Sequence, residues 1–452
     1  MYKSSLALAI ALGVLAQQAG AAGFLEDSKL NLSSRTYYYE NDDHSKGGLN
    51  QDETAEVLKL DYLSGFTQGT IGVGVDAQLL YGLHLDGGRG SRPASNNSFW
   101  PSEHDGSAVD DLTRGDANVK FRYSKTELHV GGALAPQLPI LLANDSRAMP
   151  QNFDGAIITS KDIDNVTLVA GDLQHSTGRA STNSTGLSVA GATQSSNQFA
   201  FAGGDWKVTK DLTLQYYHAD LQDFYKQDFF GLVHVLPIGD DQSFKTDLRY
   251  FRSRSQGENS SNAAGYAFSN NGGYAKNAGE VDNNTWSSIF TYQLGGNSFL
   301  VGYQSVSDDG GFVLLNQGNV TTNGAKATGL NNEDNGGTSF YLFTDSVVNS
   351  FIRAGEKTKF AQYAYDFARL GAPGLKASIT YLHGDDIRDI TGNGPTHSEW
   401  ERDARIDYVV QTGYLKGFGT TLRTGSYHND GSGTTNPTDQ TRLIFNYTYA
   451  FF

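Results

Sequence analysis

The sequence predicts an all-β fold, a transmembrane antiparallel β-barrel of about 18 strands. Three observations carry this: the last strand, the charged residues recurring at alternate positions, and the rhythm of the connections. The segment Arg442–Phe452 reads RLIFNYTYAFF. Leu443, Phe445, Tyr447, Tyr449 and Phe451 fall on one strand face, and Arg442, Asn446 and Thr448 on the other, because successive side chains alternate sides. A barrel strand needs this dyad pattern and closes on an aromatic girdle. A terminal strand of a secreted β-sandwich also has one greasy face, so the other strands must decide.

The amino terminus points out of the cytoplasm. Lys3 precedes an apolar run from Leu6 to Leu15, and Ala19-Gly20-Ala21-Ala22 offers small residues for cleavage. This is the pattern of a secretory signal over residues 1–22. The run is too short to cross a bilayer as a helix, which takes roughly 20 residues. Residues 23–452 then read as a single outer-membrane barrel domain.

Composition agrees. There are no cysteines, which excludes a disulfide framework and thiolate metal sites. Mean hydropathy is −0.42, too polar for a helical membrane protein but suited to a barrel with a polar interior. With 53 Gly against 9 Pro, and 24 Tyr and 25 Phe against 4 Trp, the chain suits many strands, tight turns and aromatic belts. The net charge of −15 disfavours nucleic acid as a partner, because phosphate binding needs clustered Lys and Arg.

Period-2 segments recur along the chain. In Asp116–Ser124, Ala117, Val119, Phe121 and Tyr123 oppose Asp116, Asn118, Lys120 and Arg122. In Asp403–Val410, Ala404, Ile406, Tyr408 and Val410 oppose Asp403, Arg405 and Asp407. In Glu56–Leu63, Leu58, Leu60 and Tyr62 oppose Lys59 and Asp61; in Leu30–Tyr39, Asn31, Ser33, Arg35 and Tyr37 share a face. For Tyr225–Leu236 both parities are tolerable. Connections alternate long and short, with long ones such as 87–111, 135–155 and 308–356 and short ones such as 124–126, 162–165 and 294–297. Only the connection near 220–224 breaks the rhythm. Long loops at one end and tight turns at the other are a barrel's asymmetry, and a sandwich has no reason to keep it.

A barrel of this size encloses an aqueous lumen. The third long loop, Ala135–Gly155, is the candidate for narrowing it. It holds three prolines and an apolar core, Ile140 to Ala143, unlike an ordinary solvated loop. The competing reading is a loop packed on the barrel rim. Catalysis finds no support: neither G-x-S-x-G nor H-E-x-x-H occurs, and the ten histidines are scattered. No cofactor is expected. His428-Asn429-Asp430-Gly431 lacks the remaining ligands of a calcium loop, so no metal is expected either. A non-transport barrel, adhesin or structural, is the alternative class.

Ordered motifs along the chain resemble the OprD-like substrate-specific outer-membrane porins of pseudomonads. They include Gly23-Phe24-Leu25-Glu26-Asp27-Ser28, Ser64-Gly65-Phe66-Thr67-Gln68-Gly69-Thr70, Ala143-Asn144-Asp145-Ser146-Arg147, Asn284-Thr285-Trp286-Ser287 and Tyr408-Val409-Val410-Gln411-Thr412-Gly413. The resemblance implies an eighteen-stranded barrel, sometimes assembled as a homotrimer, seated among outer-membrane lipid and lipopolysaccharide. It implies an inward third loop and passive uptake of small solutes that usually bear a carboxylate. It also implies a ladder of lumen arginines, which pair with carboxylates bidentately yet must bind weakly enough to release them. By parity the candidates are Arg35, Arg122, Arg249, Arg405, Arg423 and Arg442, joined by Lys120 and by Arg147 in the constriction loop with Asn144, Asp145 and Ser146. For each one the alternative is a structural ion pair to a lumen carboxylate such as Asp116 or Asp403. Where the family carries ladder arginines on strands fourteen and fifteen, this chain has Gln362 and Thr380. Small organic acids, aromatic or cyclic, are the expected solutes; basic amino acids and peptides are the alternative.

Overall fold

A computed structural model describes residues 23–452 apart from 46, 49, 89, 94–96, 104, 316–320, 323–324, 327–336 and 432–435. The signal segment read over residues 1–22 lies outside the described residues.

Eighteen strands close into one antiparallel barrel. They are β1 (Lys29–Asp43), β2 (Gln51–Leu63), β3 (Gly72–Asp86), β4 (Asp111–Tyr123), β5 (Thr126–Leu134) and β6 (Asn152–Ser160). Then come β7 (Val166–Thr177), β8 (Phe199–Lys207), β9 (Leu212–Leu221), β10 (Tyr225–Gly239), β11 (Gln242–Ser255) and β12 (Asp282–Leu294). The circuit ends with β13 (Asn297–Val306), β14 (Lys357–Asp366), β15 (Leu375–Ile387), β16 (His397–Val409), β17 (Gly419–Asn429) and β18 (Thr438–Ala450). Each strand pairs with its sequence neighbour, and β1 closes on β18 with Tyr39 opposite Arg442 and Arg35 opposite Asn446. A short piece, Ser184–Gly186, adds to β7 without joining the closure.

The register resolves the strand whose parity was open. In β10, Tyr225, Gln227 and Phe229 are buried inside while Phe230 is half exposed outside. Both faces of that strand are apolar, so only its neighbours could choose. Outside the barrel, Trp206, Trp286, Tyr381, Tyr408, Tyr449 and Phe451 stay exposed, as a lipid-facing wall with aromatic belts requires.

The interior is divided. Inward residues of β5–β11 (Phe153, Phe199, Phe229 and Phe251 among them) meet Ile140 and Leu141 of the third long loop and Phe312, Phe340 and Leu342 of the 308–356 loop. This apolar packing fills one side of the barrel; each fully buried side chain of this kind stabilises by roughly 1.5–3 kcal/mol. The opposite wall, β16–β18 with β1 and β2, carries buried polar groups: Glu399, Glu401, Arg442 and Glu53. The open passage is therefore pushed against the charged wall.

Candidate functional site: the lumen constriction

Among the described residues, the third long loop does not narrow the lumen alone. The third long loop folds inward through a small hairpin, Gln137–Leu138 against Leu141–Leu142, with Ile140, Leu141 and Ala143 buried. Its tip, Asn144–Arg147, is held from several sides. Arg35 donates to Asp145 at 2.6 and 3.0 Å and to the Arg147 carbonyl at 3.0 Å. Tyr37 Oη donates to the Ser146 carbonyl at 3.0 Å, and Arg179 Nη1 to Ser146 Oγ at 2.7 Å. The Arg147 guanidinium lies 4.8 Å from the Tyr39 ring.

The second element is the end of the 308–356 loop, which the sequence marks only as a long connection. Asn144 Nδ2 donates to the Gly337 carbonyl at 3.1 Å, and Leu142 bridges to Ser339. Further along, Val348 N and Asn349 N both donate to the Glu401 carboxylate at 2.8 Å. Glu399 accepts from Asn349 Nδ2 and Tyr427 Oη, each at 2.5 Å, and pairs with Arg353. Arg442 donates to the Val347 carbonyl. The charged wall thus grips the loop backbone, and Glu399 and Glu401 are buried in doing so.

Between these elements lies a cavity of about 760 Å³. Arg147, Arg179, Arg353, Arg423 and Arg442 line it, with Phe268, Leu314, Phe340 and Ile352 supplying apolar surface. Asp345 is its one carboxylate among the described residues. Desolvation by the surrounding protein pushes the Asp345 carboxyl above its usual range, although the residue keeps an exposed surface, against hydrogen bonds from Ser339 and Phe340 N and the nearby Arg179 and Arg442. Five guanidinium groups thus share the cavity wall with one carboxylate among the described residues.

The candidate ladder separates into three groups. Arg405, Arg423 and Arg442 stand in direct cross-strand register on β16, β17 and β18, with Tyr39 next in the row and Arg35 four residues along β1. Like charges facing each other across strands destabilise a sheet unless something relieves them. Arg405 is relieved by Asp407 at 2.6 Å and Arg442 by Gln440 and Val347. Among the described residues, Arg423 Nε has no hydrogen-bond partner. Lys120 and Arg122 form a second group, stacked over Phe66 at 5.0 and 4.1 Å, with Lys120 Nζ 2.6 Å from Asp76. Arg249 stands alone on β11, paired with Asp247 at 2.8 Å and lying 3.7 Å over the Tyr341 ring. The expected partners Asp116 and Asp403 hold none of these arginines by a hydrogen bond or ion pair among the described residues. Gln362 and Thr380 face each other, and Gln362 Nε2 donates to Thr380 Oγ1 at 2.9 Å.

Arg114, Arg179 and Arg353 escaped the sequence reading. Arg114 is inward on β4, donating to the Gly178 carbonyl at 3.0 Å and the Pro150 carbonyl at 2.5 Å. Its parity with Asp116 and Lys120 was available, but Gly115 hid the earlier start of the strand. Arg179 and Arg353 lie in loops, where no periodicity signals them.

A family model described as outer membrane porin, OprD family, matches residues 22–451. The chain belongs to this family. It is 32% identical to the porin-like protein GalP of Pseudomonas putida over 433 residues, 95% of this chain and 94% of that one. It is 31% identical to porin D of Pseudomonas aeruginosa over 460 residues, 98% and 95% of the two chains. Among solved structures, P. aeruginosa OccK8 (OprE) superposes with a TM-score of 0.82 at 41% identity, covering 95% of this chain and all of that one. P. aeruginosa OpdK, solved with vanillate, superposes with a TM-score of 0.77 at 30% identity over 95% and 100%. As an OprD-family porin, this protein is a substrate-specific outer-membrane channel and not an enzyme.

Proposed function

We propose that this porin conducts small monocarboxylates with an aromatic or cyclic body. The observation that carries this is the cavity at the constriction, where five arginines face Phe268, Leu314, Phe340 and Ile352. Guanidinium groups lining the cavity, Arg423 among them, receive the carboxylate, and the apolar side receives the ring. Arg405, Arg423 and Arg442 offer successive moderate sites, so the solute moves on instead of being trapped. Lys120 and Arg122, over Phe66, repeat the pairing of cation and ring. The relative OpdK was solved with vanillate, an aromatic carboxylate, which supports this solute class.

A basic amino-acid channel needs free carboxylates at the constriction. Glu399 and Glu401 are taken up by Asn349, Arg353, Tyr427 and the backbone of Val348. That favours the acid over the cationic solute. A liposome-swelling panel with benzoate-like acids, arginine and neutral sugars of matched size tests the proposal. Benzoate-like acids are expected to enter fastest; permeation ordered by size alone would overturn it.

A further inference from the structure

The outer wall over β13–β18 carries a feature that solute conduction does not use. A groove of about 960 Å³ runs there. Its ridges are Phe299, Val301, Tyr363 and Ile379, all exposed, and its floor includes Ala361 and Ala404. The depression follows from side-chain size: Ala361 sits in register between Val301 and Tyr381, and Ala404 beside Ile379.

Arg402 borders this groove on the outward face of β16. Its guanidinium lies 5.1 Å from the Trp400 ring and makes no hydrogen bond or ion pair among the described residues. Trp400 stacks on His428 at 4.4 Å and stands 6.3 Å from Tyr381. Clustered Trp and Tyr on an outer wall mark the headgroup level. The arginine is therefore raised to the interface above an apolar groove. Lys359, largely exposed, lies on the same face opposite His383, with Nζ 3.5 Å from Asp385. Asp439, also at the groove's edge, has its carboxylate 3.4 Å from His44 Nε2.

We propose that this wall binds one phosphorylated lipid of the outer leaflet, its phosphate on Arg402 and an acyl chain in the groove. An uncompensated arginine on the lipid face costs about 2–4 kcal/mol near the midplane and less toward the interface. A headgroup phosphate supplies the counter-charge in the fork geometry that guanidinium favours. A free phosphate ion leaves the groove unfilled. A second copy of the chain would have to bring both a carboxylate and an apolar ridge to one place.

The test uses the full barrel in mild detergent and native mass spectrometry. The probes are a bisphosphorylated acylated glucosamine disaccharide, its dephosphorylated form, and inorganic phosphate. Wild type is expected to retain the bisphosphorylated lipid about tenfold more than the dephosphorylated one, a difference of about 1.4 kcal/mol. Arg402→Gln should abolish that preference, and Ala404→Trp, which fills the groove, should weaken both lipids equally. Heat-modifiable gel migration establishes that each variant is a folded barrel. Equal lipid retention by wild type and Arg402→Gln would overturn the proposal. So would binding of phosphate as strong as the lipid, or loss of a multimer in Arg402→Gln with lipid retention unchanged.

Discussion

Asp145 at the tip of the third loop is clamped by Arg35 of the first strand, with Nη1–Oδ1 at 2.6 Å and Nη2–Oδ2 at 3.0 Å. A bidentate pair of this kind fixes geometry as well as charge. It holds the constriction loop to the barrel's closing seam. It also neutralises Arg35, which would otherwise be the rung after Arg442.

Replacing Asp145 with Asn should therefore raise anion preference. The variant removes one negative charge from the constriction and frees Arg35, while Tyr37 and Arg179 still hold Ser146. A unit charge at 4 Å in water is worth about 1 kcal/mol, or about fivefold in relative permeability. Reversal potentials across a KCl gradient in planar bilayers would read this. A shift toward cations would show that Arg35 does not face the solute path.

Arg423→Gln should reduce benzoate uptake by about tenfold, since hydrogen bonds to charged groups contribute about 1.5–3 kcal/mol. Barrel stability should barely change, because this side chain relieves two cross-strand arginines when it is removed. Arg249→Gln is the control: its charge is paired to Asp247 on the far wall, and uptake should fall much less. Equal losses in the two variants would mean that the cross-strand row is not the path.

Glu401 anchors the second inward segment through two backbone N–H groups. Glu401→Gln keeps the shape and loses the charge, so about 1–3 kcal/mol of anchoring should go. Open-channel current noise should rise, and protease should cut within 337–353 where the wild type resists.

Glu356 introduces a pH dependence at the base of the same loop. It is fully buried, accepts Arg353 N at 3.0 Å through Oε2, and has no partner for Oε1 among the described residues. Gly384 packs against Oε1, where a Cβ would collide. Burial pushes the carboxyl up to about 7 despite the Arg353 charge. A carboxyl raised above its unfolded value holds its proton longer in the folded loop. Its stabilising contribution is complete below the unfolded value and is lost as pH rises through about 7. Current noise should thus increase from pH 5 to pH 8 in the wild type and stay flat in Glu356→Gln.

Much of the barrel was legible because dyad patterning is local. Arg405, Arg423 and Arg442 could be assigned inward from their own strands, and the long and short connections ordered the strands around the circuit. The constriction was legible only in half. Proline and the apolar run Ile140 to Ala143 marked the third loop, whereas the apolar run Phe340 to Phe343 sits inside a long connection, and nothing local says that Glu399 and Glu401 will hold the neighbouring backbone.

By itself the sequence determined which residues face lipid and which face water in every strand with one polar face, Tyr225–Leu236 excepted, because a period of two leaves each strand only two choices. It also carried enough ordered motif to indicate the family. Only the tertiary structure decided which inward charges meet. Register across strands sets Arg405, Arg423 and Arg442 side by side, and loop docking pairs Arg35 with Asp145 over a separation of 110 residues. Ion pairing depends on distances of a few ångströms, and those are fixed by closure of the barrel and folding of the loops, which no local pattern encodes.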